Sequence, residues 1–258
     1  MFNSISIFLR SYDLSVIFWK IKCKIFNIKI PKIREWQTPF LNKAGIEIGG
    51  PSSIFTNNGY LSLYKAIKSL DGVNFSNSTI WEGKISESMP FKYANREGLQ
   101  YICEGSKLSR IKNEQYDFVL SCNNLEHLAN PISAILEWRR VIKKDGYVLL
   151  ILPNKKSNFD HKRSITLMSH LIDDYKNNID ETDLTHLEEI LTHHDLSKDP
   201  QAGDFNNFKK RCLNNFENRC LHHHVFNEGL LAEILDYCEM TTLMKYTNKT
   251  DIFVLARK

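Results

Sequence analysis

The chain alternates short apolar runs with amphipathic stretches over most of its length. Phe2, Ile5, Leu9, Tyr12, Val16 and Trp19 recur at spacings of three and four, which predicts one helical face. From Lys20 to Ile25 the pattern becomes strict alternation, which predicts a strand or an irregular extension. Ile30-Pro31 and Thr38-Pro39 then interrupt regular structure. Apolar runs predict seven strands, over 44–48, 71–75, 100–103, 118–121, 147–152, 241–246 and 252–256. Helical periods fall at 61–69, 131–142 and 228–237. The 248–251 turn between the last two strands is short enough for a hairpin. Strands alternating with helices predict an α/β fold. Its seven-stranded, mostly parallel sheet is covered on both faces and carries an antiparallel terminal hairpin strand.

Residues 154–224 break this rhythm. They form a polar, helix-prone insertion between strands five and six, far longer than the roughly 2–6 residues of an ordinary connection. Long ordered excursions at the carboxyl ends of strands commonly bind substrate or cover a site. The predicted organisation is therefore an extension over 1–40 and one domain over 41–258, with the helical insertion at 154–224.

Charge adds one distinction. The chain of 258 residues carries a formal +4, but residues 1–36 hold seven bases against two acids. The rest is near neutral, and the insertion has ten bases against twelve acids. A general nucleic-acid binder would carry a basic stripe across its fold, so nucleic acid is not expected as a partner. The basic, apolar extension predicts packing on the body, or else peripheral contact with an anionic membrane surface through residues 1–36. No apolar run is long enough to span a membrane. Arg10 and Asp13 cut the early apolar stretch, and no small-residue cleavage site follows. Six cysteines without a C-x-x-C pair predict a reduced, cytoplasmic chain.

Two constellations carry the chemistry. The first is Ala44-Gly45-Ile46-Glu47-Ile48-Gly49-Gly50-Pro51-Ser52-Ser53, a buried strand running into an acid and tight glycines. Glycine lets the backbone approach a ligand, and a following helix would present free N–H groups. Further landmarks follow in order. They are Asn74 near the end of strand two, and Tyr101-Ile102-Cys103-Glu104-Gly105-Ser106-Lys107-Leu108 around strand three. Next come Tyr116 to Ser121 followed by Asn123-Asn124-Leu125-Glu126-His127-Leu128, and Val141 to Asn154. This series resembles the class I methyltransferases that use S-adenosylmethionine, over residues 42–154 and 222–258. It departs where Pro51 and Ser53 stand in place of further glycines. The resemblance implies a Rossmann-like sheet. It also implies a cofactor site of Glu47, Gly49, Gly50, Pro51, Ser53, Asn74, Glu104, Gly105, Ser106, Leu108, Ser121, Asn123 and His127. Trp81 is expected either to wall that site or to fill core.

The second constellation is histidine. Eight of nine lie between residues 161 and 224, among many carboxylates. Imidazole with carboxylate is material for a general base or a divalent metal site. Methyl transfer to a hydroxyl needs one of these, because a neutral hydroxyl must lose its proton as it attacks. The candidate catalytic residues are His194, His223 and Asp160. The candidate ligands for Mn2+ or Mg2+ are Asp160, His161, His193, His194, His222 and His224. His186 and Glu189 share a face of a helix predicted over 181–191, and His170 and His186 read as structural. Lys162, Arg163 and Arg211 could hold a phosphate.

The insertion, from "FDHKR" through "DLTHLEEILTHHDL" to "RCLHHHVF", resembles methyltransferases encoded beside bacterial capsule and O-antigen genes. That likeness implies O-methylation of a sugar hydroxyl in a nucleotide-sugar or surface-glycan precursor. Two other readings stay open at this level: a metal-dependent hydrolase or lyase, and a non-catalytic, membrane-associated scaffold. The partners left in play are a carbohydrate, a membrane surface and a second copy of the chain.

Overall fold

The computed structural model describes residues 14–258. Seven strands form one sheet: β1 (Ala44–Ile48), β2 (Ser69–Asn74), β3 (Gln100–Ile102), β4 (Tyr116–Cys122), β5 (Ile142–Pro153), β6 (Thr241–Thr247) and β7 (Asp251–Arg257). Their order is β6-β7-β5-β4-β1-β2-β3. β3, β2, β1, β4 and β5 pair in parallel, and β7 enters antiparallel to both β5 and β6. The predicted fold class and the closing hairpin are therefore as observed.

Alternation along the strands builds two cores. On one face Val148, Leu150 and Leu152 of β5 join Ile46, Val119 and Val254. They pack against α3 (Pro131–Val141) and α8 (Glu228–Tyr237). On the other face Leu149 and Ile151 join Phe118, Phe253 and Leu255 beneath Trp36 of α2 (Ile33–Gln37). A strand segment buried on both faces has to be apolar at every position, which is why residues 147–152 of β5 read as one continuous run.

The helix expected over 61–69 is absent. Leu61, Leu63, Tyr64 and Ile67 are all buried, so their spacing reports burial and not helical period. Their backbone groups find distant partners. Leu63 and Tyr64 N–H groups both donate to the Phe55 carbonyl at 3.0 Å, and Lys68 N–H donates to the Lys43 carbonyl. The Arg96 guanidinium donates to the carbonyls of Tyr64, Ile67 and Lys68. A chain so supplied has no need of local i to i+4 bonds.

The alternation at 20–25 also misleads. Those residues belong to α1 (Leu14–Ile25), which buries Val16 and sets Trp19 edge-on to Tyr60 at 6.3 Å. The segment joins no strand, and helical bonds satisfy its backbone. Phe18, Ile21, Ile25 and Phe26 remain exposed. The earlier part of the expected helical face, from Phe2 to Tyr12, lies outside the described residues. No described helix is long and apolar enough to cross a membrane.

The insertion folds as short helices: α4 (Met168–Lys176), α5 (Leu187–His193), α6 (Phe205–Leu213) and α7 (Asn215–Asn218). Thus α5 starts later than the helix expected over 181–191. Ile190, Ala202, Phe208, Cys212 and Leu221 give the insertion a small core of its own.

Candidate active site

The parallel strands end on one edge, and the chain reverses direction across the sheet between β1 and β4. Such a switch point leaves a crevice outside the strand ends. Here it is a cleft of about 630 Å³. Ile48 and Gly49 after β1, Val73 to Phe75 after β2, Cys103 to Gly105 after β3 and Cys122 to Asn124 after β4 line it. Its outer wall comes from Ile80, Trp81 and Glu82, and from Phe159, Asp199, Gln201, Arg211, Arg219, Cys220 and His222 of the insertion.

The loop after β1 is held from below. Glu47 is fully buried. It accepts from Ser52 N–H at 2.9 Å and from the Tyr64 hydroxyl at 2.7 Å. Burial pushes its carboxyl up to about 7 against those hydrogen bonds. A Cβ on Gly50 would lie 2.3 Å from the Glu47 carboxyl carbon. Gly49 has φ +77, and a Cβ there would meet the Asn124 amide at 2.7 Å. Both glycines are required, the first for close approach and the second for its backbone. No α-helix follows the loop. Ser53–Phe55 is a single 3-10 turn, so the expected helix N-terminus is absent.

Of the residues expected to hold a cofactor, Gly49, Pro51, Ser53, Asn74, Glu104, Gly105, Asn123 and His127 line the cleft. Five do not. Glu47 and Gly50 act beneath the loop, Leu108 is core, Ser121 is buried within β4, and Ser106 lies off the wall. Asn74 is engaged by the protein itself: its Oδ1 accepts from Trp81 Nε1 at 3.0 Å and its Nδ2 donates to the Gly50 carbonyl. An acid on the same wall, next in sequence to Trp81, is Glu82, whose carboxyl burial pushes up. Nothing in the sequence pattern singled out Glu82, because it sits in the tight turn between the short paired strands Ser78–Thr79 and Gly83–Lys84.

The histidines separate. His222 stands on the cleft wall, and its Nδ1 donates to Asp160 Oδ2 at 2.5 Å. Burial opposes protonation of His222, but the charge and hydrogen bond of Asp160, with Glu126, lift it above the ordinary imidazole value. Burial would raise Asp160 in turn, yet His222 and Arg163 hold its carboxyl at about 2. Arg163, itself buried, donates to Asp160 Oδ1 at 3.0 Å and to the His222 and His223 carbonyls. It also donates to Glu189, so no free edge remains for a phosphate.

The other candidates lie elsewhere. His223 is buried off the cleft, and its Nε2 accepts from the Asn215 amide at 3.1 Å. Burial and the His186 charge push it down to about 4. His194 stacks behind Phe159 at 4.4 Å and donates to Asp199. His161 donates to Asp195 at 2.7 Å. His224 packs with His170 and His186. Asp160, His161, His193, His194, His222 and His224 therefore do not share one centre. Neither His194 nor His223 reaches the cleft, whereas Asp160 stands directly behind His222. His127 does line the cleft, with Nδ1 donating to the Leu221 carbonyl at 2.9 Å. Its ring stands edge-on to His222 at 4.6 Å.

A smaller cleft of about 300 Å³ opens on the far side of this wall. It shares Asn123, His127, Phe159, Asp199, Gln201 and His222 with the first. Val16 and Lys20 of α1, with Ser157, Asn158, Thr250 and Asp251, complete it. His222 thus stands where two clefts meet. Its position was legible only as one of three consecutive histidines, since alternation says that neighbours point apart but not which one faces the site.

Comparison with known proteins agrees with this layout. Residues 60–150 match the methyltransferase domain family. An S-adenosylmethionine-dependent methyltransferase from Mesorhizobium loti superposes with a TM-score of 0.51 at 9% identity, covering 88% of this chain and 96% of that one. A SAM-dependent methyltransferase from Methanosarcina mazei has a TM-score of 0.47 at 14% identity, covering 90% and 99%. One from Aquifex aeolicus has 0.47 at 13%, covering 95% and 98%. No curated protein matches the chain. The matched segment spans β2 to most of β5, and the order of the sheet with its cleft at the switch point is a methyltransferase-type fold.

Proposed function

We propose that the chain transfers a methyl group from S-adenosylmethionine to a hydroxyl of a carbohydrate or nucleotide-sugar acceptor, with His222 as general base. The observation that carries this reading is the Asp160–His222 pair on the wall common to both clefts. The larger cleft suits the methyl donor. Its size is that of a small-molecule site, its walls set apolar and aromatic side chains such as Ile48, Val73, Phe75 and Trp81 among polar ones, and glycine lets the loop after β1 approach a ligand closely. When bound, the sulfonium supplies an electrophilic methyl and leaves as a neutral thioether.

This chain's residues do the rest. Asp160 fixes the His222 ring with Nδ1–H toward the carboxylate, so that Nε2 carries the lone pair. As the hydroxyl oxygen bonds to the methyl carbon and the carbon–sulfur bond breaks, the hydroxyl proton moves to Nε2. Asp160 stabilises the imidazolium formed. The smaller cleft supplies carboxamide, hydroxyl and carboxylate groups from Asn158, Ser157, Thr250 and Asp251, which suit a polyhydroxylated acceptor. Phe159 offers an apolar face beside them.

Two measurements test this. Calorimetry with S-adenosylhomocysteine should show binding, and Gly49→Ala should weaken it about tenfold. An L residue at positive φ costs ~1–2 kcal/mol, and 1.4 kcal/mol is a factor of ten. Radiolabelled methyl transfer to a panel of sugars, nucleotide sugars and amines should label hydroxyls. Label found only on amines would overturn the acceptor assignment.

A second reading rests on Glu126. Both its carboxylate oxygens are buried without a hydrogen-bond partner, and ligand atoms of Glu126, His127 and His222 lie within 4.8 Å of one another. These three could hold a divalent metal that lowers the hydroxyl pKa, and imidazole donors favour Mn2+ over Mg2+. Methyl transfer unaffected by prolonged chelation would remove this reading and leave the His222 base.

A further inference from the structure

A second group of histidines lies away from both clefts. His170 and Asp174 stand one turn apart on α4, His186 leads into α5, and His224 comes from the segment before α8. His170 Nε2 lies 2.9 Å from His186 Nε2 and 3.2 Å from Asp174 Oδ2. His224 Nε2 lies 3.6 Å from the same oxygen. One ligand atom from each of the four falls within 4.8 Å of the others. Four-coordinate zinc, with bonds of roughly 2.0–2.2 Å, spaces its ligand atoms about 3.4 Å apart.

A hydrogen-bonded network alone leaves atoms over. Asp174 Oδ2 and His224 Nδ1 are buried with no hydrogen-bond partner. The nearby Arg163 guanidinium cannot serve them, being bonded to Asp160, Glu189 and two carbonyls. The His186 ring is oriented as in a metal site: its Nδ1 faces Glu189 Oε2 at 3.6 Å while its Nε2 meets His170 Nε2. Such a partner fixes a ligating imidazole and leaves its other nitrogen as the lone pair.

We propose that His170, Asp174, His186 and His224 bind one structural zinc ion, which ties α4 and the start of α5 to the segment that carries His222. Three imidazoles and one carboxylate close a tetrahedral sphere, and none of the four lines either cleft. The ion therefore positions the base and does not touch substrate.

Full-length protein is stripped with chelator, returned to Zn2+ and analysed for metal by mass spectrometry. One equivalent per chain is expected, with a thermal midpoint that falls on stripping and returns with zinc. Co2+ in place of zinc should give the visible absorption of a four-coordinate site. His170→Gln and Asp174→Asn should each weaken zinc binding at least ~100-fold, whereas His222→Gln should retain it. His170 is 37% exposed, so its variant tests the site even if Asp174→Asn fails to fold. Folded, stripped protein that takes up no zinc would overturn the proposal. So would zinc retained by His170→Gln, or zinc lost only from His222→Gln.

Discussion

His222→Ala should lower kcat by about 10²–10⁴, the usual contribution of a positioned general base, while S-adenosylhomocysteine binding changes little. The two readouts separate because the ring acts on the acceptor proton, whereas the loops after β1 to β4 form most of the donor cleft. Asp160→Asn should also lower kcat without removing the ring. Its further effect lies in the pH profile. A base must be neutral to act, so the rate rises as pH passes through the His222 pKa. The groups facing that ring are Asp160, Glu126, Arg163 and His127, and of these Asp160 raises its pKa most. Losing the carboxylate lowers that pKa, so the rising limb in Asp160→Asn moves to lower pH. A His222→Ala enzyme with near-normal kcat on its acceptor, or a limb that stays in place in Asp160→Asn, would refute the assignment.

Arg163→Met should destabilise the fold by ~3–5 kcal/mol in urea denaturation, the range for breaking one partner out of a buried ion pair. Arg163 is 2% exposed, and its guanidinium links Asp160, Glu189 and the carbonyls of His222 and His223. Methionine fills a similar volume but leaves those acceptors unpaired. The pH dependence has a definite sign. Asp160 is held at about 2 against an ordinary 3.8, so its stabilising contribution is complete above 3.8 and is lost as pH falls toward 2. With Arg163 gone the depression shrinks, and acid unfolding should begin at higher pH. A loss below about 1 kcal/mol would show that the surrounding network is redundant.

The sheet was legible because strands buried on both faces must be apolar throughout. That constraint is visible at Ile46, Val119 and 148–152 without any knowledge of neighbours. The helices at 131–141 and 228–237 were legible because each buries one face against that sheet. The segment 61–69 failed for the converse reason: buried residues at spacings of one to three mimic a helix when the backbone is satisfied by Phe55, Lys43 and Arg96, none within the four-residue reach of a helical bond.

The site divides in the same way. Local backbone demand marks Gly49 and Gly50, and the strand ends fall where the motifs place them. The histidines were found as a population but not sorted, since a side chain's role depends on what the insertion folds against. Three consecutive histidines went to three destinations: His222 to the cleft and Asp160, His223 to Asn215, and His224 to His170 and His186.

The sequence by itself thus determined the sheet, its closing hairpin, the loop after β1 and the region that would carry the chemistry, because each follows from local periodicity or backbone geometry. Only the tertiary structure decided which histidine faces the cleft and which four ring and carboxylate groups converge. Apart from the His170–Asp174 pair on one helix, those contacts join residues 16 to 62 positions apart, and no local pattern encodes a distance across the fold.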